Sequence, residues 1–317
     1  MIMLNKRKVV IIGAGHVGSH TAMALCFQGS CDEIVLIDTD KDKAAANCLD
    51  IADACLFLGS TTKLYVGDYS DCRDADIIVV SVGTPRKPGQ TRLDVLDDSI
   101  VMIKDVVENL QPIDYKGIIV SITNPADIIG NYLREHLGLS RERCFSTGTS
   151  LDTARLKRTV EELSGIDRKS VSAISLGEHG NSSFVPFSSM AIGAKPYDRL
   201  RGAKDKYSAL DEEKILERTR SIGNDIIDGK GSTEFGIGAA CADLIKAIFH
   251  DEKRVIPASV QLCGEYGMHG VACGVPCVMG RNGIEDIIEL ELNDDEKRQM
   301  EYTCNVIKEN IARAERL

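Results

Sequence analysis

Two short segments in the second half of the sequence carry side chains that suit proton transfer and carboxylate binding. His179 lies in the glycine-flanked turn 176–182, which follows a predicted strand. Asp152 and Arg155 are three residues apart at the start of a predicted helix, so they share one face of it. An imidazole can exchange a proton with an alcohol oxygen, a carboxylate can fix its tautomer, and a cation can bind a substrate carboxylate. Together these side chains suit hydride chemistry on a keto acid.

A glycine-rich turn near the N-terminus predicts a site for a dinucleotide cofactor. Gly13, Gly15 and Gly18 follow a short apolar strand and open a helix. In this context the first glycine permits a tight turn, the second lets a pyrophosphate approach the backbone, and the third lets helix and strand pack closely. Asp38 ends the second predicted strand, roughly 20 residues past the last glycine. A carboxylate there accepts hydrogen bonds from the ribose of NAD and repels the 2′-phosphate of NADP, so the motif predicts NAD as the cofactor.

The elements that position these motifs alternate between strand and helix in the first half of the chain. The predicted strands are short, apolar and rich in β-branched residues, as in a parallel sheet buried on both faces: 9–12, 33–37, 77–81 and 118–122. The predicted helices are 17–27, 41–56, 98–110 and 126–137. This order predicts an α/β fold whose N-terminal Rossmann domain, a doubly wound parallel sheet, spans residues 1–148.

The second half is less regular and predicts a C-terminal α+β substrate domain over residues 149–317. Helices are expected over 150–162, 210–227, 233–249 and 294–314, the last with Asp294 as its N-cap. Strands are expected over 171–176 and 184–187, with several more between 255 and 279. No Pro/Ser-rich linker separates the halves, so the two domains should pack closely.

Composition excludes several classes of protein. The 317 residues are 43% hydrophobic and 27% charged, which is ordinary for a globular chain. No apolar run reaches the roughly 18 residues that a membrane span needs. The net charge of −10 argues against nucleic acid or an anionic membrane as partner. The eleven cysteines include no C-x-x-C pair, and the N-terminus lacks a signal-peptide pattern; we therefore expect reduced thiols, no metal and a cytoplasmic location.

From the glycine turn to the last predicted helix, the chain resembles the L-lactate/L-malate dehydrogenase family of NAD-dependent L-2-hydroxyacid dehydrogenases. The resemblance rests on the motifs quoted above. It implies that His179 is the general acid and base, and that Asp152 orients His179 and stabilises its charged form. It also implies that Arg155 grips the substrate carboxylate in a bidentate fork. Arg92, in a loop over the site, would polarise the substrate carbonyl.

The resemblance also implies the residues that surround cofactor and substrate. Asn124 would contact both the substrate and the nicotinamide, and Thr233 would line the substrate pocket. His16 would border the cofactor, while His20 receives no role. Because the family is oligomeric, a homodimer or homotetramer that acts on a small 2-keto or 2-hydroxy acid is expected. The implied cofactor-binding residues are Gly13, Gly15, Val17, Gly18, Asp38, Gly83, Asn124 and Ile237.

The substrate stays open among three classes at this point. Arg86 favours malate, because malate dehydrogenases use arginine there to pair with a second carboxylate, whereas lactate dehydrogenases usually have glutamine. Thr233 favours a lactate-type enzyme, and Asn181 is similar to the variant found in L-2-hydroxyisocaproate dehydrogenase. We predict the L-lactate dehydrogenase type, with the other two as alternatives. Lys157 and Ser172 replace the arginine and histidine that bind fructose 1,6-bisphosphate in activated relatives, so little activation is expected.

Overall fold

The computed structural model describes residues 6–84, 89–201, 207 and 210–317. Twelve strands and eight α-helices lie within these residues. The strands are β1 (Lys8–Ile12), β2 (Glu33–Ile37), β3 (Lys63–Val66), β4 (Ile77–Val80), β5 (Ile118–Ser121), β6 (Cys144–Ser146), β7 (Val171–Ser172), β8 (Ala191–Ile192), β9 (Lys195–Pro196), β10 (Arg254–Cys263), β11 (His269–Gly280) and β12 (Gly283–Ile287). The helices are α1 (His16–Gln28), α2 (Lys41–Leu58), α3 (Leu96–Leu110), α4 (Ala126–Leu137), α5 (Ser150–Ser164), α6 (Glu212–Lys230), α7 (Phe235–Phe249) and α8 (Asp294–Ala314).

Strands β1 to β6 form a parallel sheet in the order β3-β2-β1-β4-β5-β6, which confirms the doubly wound Rossmann arrangement. Side chains along β1 alternate between two cores, with Val9 and Ile11 in one and Val10 and Ile12 in the other. Both faces of the sheet are covered, which explains why its strands are continuous apolar runs in the sequence. The chain order reverses between β1 and β4, so the carboxyl ends of these strands flank a crevice.

The second half of the chain extends the same sheet. Strands β10, β11 and β12 pair antiparallel, and β10 joins β6 through Ser259 opposite Ser146. A separate sheet of β7, β8 and β9 packs on a third core that includes Leu156 of α5 and the buried Tyr197. The division at residue 148 stays a prediction, and the sheet connects the two halves directly.

Two strands of the first half were not predicted. The edge strand β3 is half-buried and begins with an exposed lysine, so it lacks the continuous apolar run of its neighbours. Strand β6 has only three residues, which is too short to give a periodic signal. Both are held in place by pairing with a longer neighbour, β2 or β5.

Four expectations for the second half were wrong in detail. The strand expected over 171–176 is limited to β7, and 184–187 forms no strand beyond a single bridge from Phe184 to Leu176, because Pro186 has no amide proton for a ladder. Helix α7 begins at Phe235, so Thr233 precedes it. The N-cap of α8 is Asn293, whose side chain accepts from the amides of Asp295 and Glu296; Asp294 is the first helical residue.

Ten of the eleven cysteines are buried and all are free thiols, with Cys263 exposed. Burial raises the pKa of several of these thiols, which keeps them protonated. In the ranges that the structure describes, no helix is long and apolar enough to cross a membrane.

Candidate active site

A cleft opens at the carboxyl ends of β1, β4 and β5. Residues from both halves of the chain line it, which brings the two sets of predicted site residues together. The predicted residues on its wall are Gly15, Val17, Gly83, Arg92, Asn124, Arg155, His179, Thr233 and Ile237. Arg86 lies outside the described residues.

His179 is held by hydrogen bonds at both ring nitrogens. Its Nδ1 lies 2.5 Å from Asp152 Oδ2, and its Nε2 accepts from Arg92 Nε at 2.9 Å. Because Nε2 acts as an acceptor, the ring proton is on Nδ1, where it is donated to Asp152. This geometry fits the neutral tautomer that suits a general base, with its lone pair directed toward Arg92 and the cleft.

The pKa values of His179 and Asp152 are both lowered, but for different reasons. Burial lowers the pKa of His179 because it disfavours the charged ring; Arg92 lowers it further, and Asp152 opposes both effects. Burial acts to raise the pKa of Asp152, but the charge and hydrogen bond of His179, with the charges of Arg92 and Arg155, hold it well below its usual range. Asp152 therefore stays ionised and can stabilise a protonated imidazole.

Arg155 gives the site a buried positive charge beside this pair. It lies on the first turns of α5, is 7% exposed, and places Nη1 3.7 Å from Asp152 Oδ1. Burial lowers its pKa, although a guanidinium remains charged in any protein. Two guanidinium groups, of Arg92 and Arg155, thus face one carboxylate, of Asp152. This excess of positive charge suits an anionic substrate group.

The backbone of His179 is anchored separately from its ring. Its N–H donates to Asp127 Oδ2 at 2.8 Å, and Gly177 before it has φ +95°, a conformation that favours glycine. Burial raises the pKa of Asp127 to about 7. Sequence reasoning missed Asp127; the available signal was a single acid within the otherwise uncharged, buried segment 126–133 of α4.

A second anchor comes from the last helix, α8, and was also missed. Thr303 Oγ1 accepts from the Glu178 amide at 2.9 Å and lies 2.8 Å from Ser182 Oγ. The buried Glu178 carboxylate in turn accepts from Ser182 Oγ at 2.6 Å. The turn that carries His179 is thereby fixed at both ends, which preorganises the imidazole.

The glycine turn has the close packing that its spacing predicts. A Cβ on Gly13 would lie 2.5 Å from the Ser81 carbonyl oxygen, and one on Gly18 would lie 1.9 Å from the Gly13 carbonyl oxygen. A Cβ on Gly15 would meet nothing within 4 Å, because this position faces the open cleft. No side chain caps the N-terminus of α1. Its free amides can therefore receive an anionic group.

Asp38 lies at the end of β2 against this turn. Its Oδ2 accepts from the Ala14 amide at 2.7 Å, and its Oδ1 accepts from the Asp40 amide at 2.9 Å. Each carboxylate oxygen can accept a further hydrogen bond. The side chain is half-buried, which leaves room for a ribose hydroxyl.

Asn124 supplies an unsatisfied acceptor at the other end of the cleft. Its Oδ1 is buried and has no hydrogen-bond partner among the described residues, while its backbone oxygen accepts from Ser99 Oγ at 2.7 Å. A carboxamide or hydroxyl donor would satisfy this atom. The turn at one end and Asn124 at the other therefore fit NAD. Within the described ranges, no group of three or more His, Cys, Asp or Glu side chains could hold a metal ion.

Comparisons with known proteins agree with this arrangement. The family model for the NAD-binding domain of lactate/malate dehydrogenases matches residues 7–146, and the model for the α/β C-terminal domain matches residues 149–317. An L-lactate dehydrogenase of Fusobacterium nucleatum subsp. nucleatum is 42% identical over 310 residues, covering 98% of this chain and 97% of the relative.

Solved structures of both lactate and malate dehydrogenases resemble the fold. MGS-M5, a lactate dehydrogenase from a Medee basin deep-sea metagenome library, has a TM-score of 0.93 at 35% identity, covering 98% of this chain and 100% of that one. The malate dehydrogenase of Cryptosporidium parvum has a TM-score of 0.92 at 29% identity, with the same coverage. Fold similarity alone therefore does not separate the two activities.

Proposed function

The chain belongs to the lactate/malate dehydrogenase family, and from this premise we propose that it is an NAD-dependent L-lactate dehydrogenase that interconverts pyruvate and L-lactate. The observation that carries the proposal is the hydrogen-bonded row of Asp152, His179 and Arg92 beside the buried Arg155. This row places the imidazole that exchanges the proton at one end of an anion-binding pocket.

Arg155, His179 and Asp152 have separate tasks in the proposed reaction. When bound, the dinucleotide supplies or accepts the hydride at the substrate C2. Arg155 binds the substrate carboxylate with two parallel hydrogen bonds, which fixes the position of C2. His179 donates a proton from Nε2 to the developing alkoxide during reduction, and takes it back during oxidation. Asp152 keeps the imidazole oriented and stabilises its charged form.

Arg92 must change partners for reduction to occur. In the structure its Nε–H occupies the lone pair of His179 Nε2, and its charge lowers the pKa of the imidazole. A substrate carbonyl oxygen placed between the two groups would accept from both of them. Arg92 would then polarise the carbonyl, and His179 could carry the proton that it delivers.

Pyruvate is favoured over oxaloacetate by the relatives and by Thr233. Relatives with 37–42% identity over nearly the whole chain are L-lactate dehydrogenases, which supports the lactate type. Thr233, the residue that the resemblance associates with lactate-type enzymes, lines the cleft. Arg86 is the one feature that favours malate, and it lies outside the described residues. L-Malate is therefore the less supported alternative, and a branched 2-hydroxy acid is the third candidate.

The substrate assignment is tested by kcat/KM for NADH oxidation with pyruvate, oxaloacetate and 2-ketoisocaproate in parallel. We expect pyruvate to exceed both others by at least about tenfold, or about 1.4 kcal/mol in transition-state stabilisation. If oxaloacetate exceeded pyruvate by about a hundredfold, the enzyme would be a malate dehydrogenase and Arg86 would be its specificity residue. A preference for 2-ketoisocaproate would instead favour the branched 2-hydroxy acid, the substrate class that Asn181 indicates.

We also propose that the enzyme works as a homo-oligomer in the cytoplasm. Three large apolar side chains on α2, those of Leu49, Leu56 and Phe57, are each at least 70% exposed. Such a stripe suits burial against a second copy of the chain. Light scattering coupled to size exclusion should give a dimer or tetramer, and Phe57→Asp should shift it toward monomer. A wild-type monomer would contradict the proposal.

A further inference from the structure

Two buried thiols contact each other close to the turn that carries His179. The Sγ atoms of Cys273, in β11, and Cys304, in α8, are 3.9 Å apart, within hydrogen-bond distance for thiols. Both side chains are fully buried, and both thiols are free. A disulfide needs its two sulfur atoms about 2.0 Å apart. The two thiols could therefore join after an approach of about 1.9 Å.

Each thiol is next in sequence to a residue that anchors this turn. Cys304 follows Thr303, whose Oγ1 accepts a backbone N–H of the turn at 2.9 Å. Cys273 precedes Gly274, which exchanges two backbone hydrogen bonds with Gly177 at 2.9 and 3.0 Å. A movement that brings the two sulfur atoms together therefore pulls on both of these anchors.

Close packing leaves little space between the turn and its two anchors. A Cβ on Gly274 would lie 2.8 Å from the Gly177 carbonyl oxygen, and one on Gly177 would lie 2.8 Å from Thr303 Oγ1. A close-packed interior transmits a displacement to its neighbours, because it has few voids that could absorb it. A shift of either anchor is therefore passed to the turn, and with it to His179.

The two thiols differ in how readily they lose a proton. The hydrogen bond from Cys273 lowers the pKa of Cys304; burial and the charge of Asp127 oppose this effect, and the charge of Lys308 supports it. The same hydrogen bond, together with burial, raises the pKa of Cys273. Burial also raises the pKa of other thiols in the core, such as Cys144. Because the thiolate is the form that attacks an oxidant, Cys304 is the expected nucleophile and Cys273 its partner.

We propose that Cys273 and Cys304 form a reversible disulfide when the enzyme meets a hydroperoxide, and that this bond displaces the turn of His179 and lowers kcat. The Cys304 sulfur attacks one oxygen of hydrogen peroxide, the O–O bond breaks, and water leaves behind a sulfenic acid. The Cys273 sulfur then attacks the Cys304 sulfur, and a second water leaves. Both thiols are oxidised, the peroxide is reduced, and the two thiol protons end in the two waters. A dithiol reductant reverses the change by exchange.

Access to the core decides which oxidant can act. Neither side chain has exposed surface, so an oxidant must enter between α8 and β11. Hydrogen peroxide is little larger than water and can enter through the local opening that folded proteins undergo. A bulky disulfide cannot enter in this way. The resting enzyme therefore keeps both thiols reduced, and the switch responds to small hydroperoxides.

The experiment treats the enzyme with hydrogen peroxide and follows kcat for pyruvate reduction together with the disulfide, which mass spectrometry detects as a link between two peptides. We expect kcat to fall by at least about tenfold in step with the link, because a small displacement of a catalytic group has a large effect on rate. A dithiol should restore kcat, which separates the disulfide from methionine oxidation. Cys273→Ala and Cys304→Ala should keep the kcat of the untreated wild type and show no reversible loss, since a buried free cysteine packs as a small apolar side chain.

Cys55→Ala is the matched control, because Cys55 forms a second contact between buried thiols, with Cys26, between α1 and α2. It should lose and regain activity as the wild type does. A reversible loss that persists in Cys273→Ala, or a link that leaves kcat unchanged, would overturn the inference. The kcat readout rests on the proposed function. A wild type that forms the link but reduces no pyruvate would refute the lactate assignment alone, since the series can be repeated with the keto acid that it does reduce.

Discussion

Two carboxyl groups contact His179 at different atoms, and their surroundings move their pKa values in opposite directions. Asp152 meets the ring at Nδ1, 2.5 Å away, and its pKa lies well below the usual range. Asp127 accepts the backbone N–H at 2.8 Å, and its pKa is raised to about 7. Of the two acids that contact His179, Asp152 is therefore held in its charged form, whereas Asp127 is not.

The difference shows how partners decide the state of a buried acid. Burial acts to raise the pKa of both carboxyls. At Asp152 the positive charges of His179, Arg92 and Arg155 outweigh burial. At Asp127 burial is the largest cause, and the negative charge of Glu178 adds to its effect. Asp152, on the ring side of His179, can thus support proton transfer. Asp127, on the backbone side, can only hold the turn in position.

The largest effect is expected from removal of the ring itself. His179→Asn should lower kcat for pyruvate reduction by about a thousandfold or more, because no group remains at Nε2 to deliver the proton. The variant keeps the backbone N–H that Asp127 accepts, so the turn and the Kd of NADH should be unchanged. His136→Asn is the control. Loss of NADH binding in His179→Asn would mean that the ring also supports the fold of the cleft.

The next largest loss of activity is expected from a change at Arg155, the cation beside the His179 ring. Arg155→Lys should lower kcat/KM for pyruvate by about a hundredfold, since an ammonium cannot form the bidentate fork. The Kd of NADH should stay constant. Arg158→Lys, on the same helix in an ion pair with Glu162, is the matched control. If both variants kept full activity, the carboxylate would bind elsewhere.

Asp127→Asn should lower kcat less than His179→Asn and Arg155→Lys do, and it should also change the stability of the protein. We expect kcat to fall by about tenfold, because the substitution weakens the contact between this side chain and the backbone N–H that positions His179. The native carboxyl has a raised pKa, so it binds a proton more readily folded than unfolded. Its contribution to stability is therefore largest below about pH 4 and is lost as pH rises to about 7.

The check on this stability prediction is denaturant unfolding of both proteins across that pH range. The wild type should gain stability relative to Asp127→Asn as pH falls from about 7 to about 4, because asparagine does not titrate. A difference that stayed constant with pH would mean that Asp127 is ionised in the folded protein. The two carboxyls would then differ in position and not in charge.

An effect of similar size is expected on coenzyme choice, at Asp38 beside the glycine turn. Asp38→Gly should reduce the preference for NADH over NADPH by about tenfold, the value of a hydrogen bond to a charged group. The measurement is the ratio of the two kcat/KM values. Asp42→Ala, an exposed acid in the first turn of α2, is the control. An unchanged ratio would remove Asp38 from the coenzyme site.

Local patterns made the coenzyme half of the molecule predictable. Gly13, Gly15 and Gly18 lie in one turn, and the strands on either side are continuous apolar runs. The pairing of Asp152 with Arg155 also follows from helical spacing. The parallel sheet and the row around His179 could therefore be placed from the sequence together with the resemblance.

Contacts between distant segments could not be predicted in the same way. Asp127 meets His179, and Glu234 meets His16, only because the sheet and the packing of α1 on α7 bring them together. The bond from Thr303 of α8 to the turn of His179 is of the same kind. No periodicity in a single sequence encodes such pairs, although a lone acid in an apolar helix is a partial signal for Asp127.

The most direct test compares Asp152→Asn with Asp127→Asn in one series of kcat measurements for pyruvate reduction between about pH 5 and pH 9. Asp152→Asn should lose at least about a hundredfold in kcat, and its activity should fall at a lower pH than that of the wild type, because Asp152 no longer raises the pKa of His179. Asp127→Asn should lose only about tenfold in kcat, because it leaves the hydrogen bond between Asp152 and Nδ1 of His179 in place. Equal losses in the two variants would contradict the division between a ring side for proton transfer and a backbone side for position.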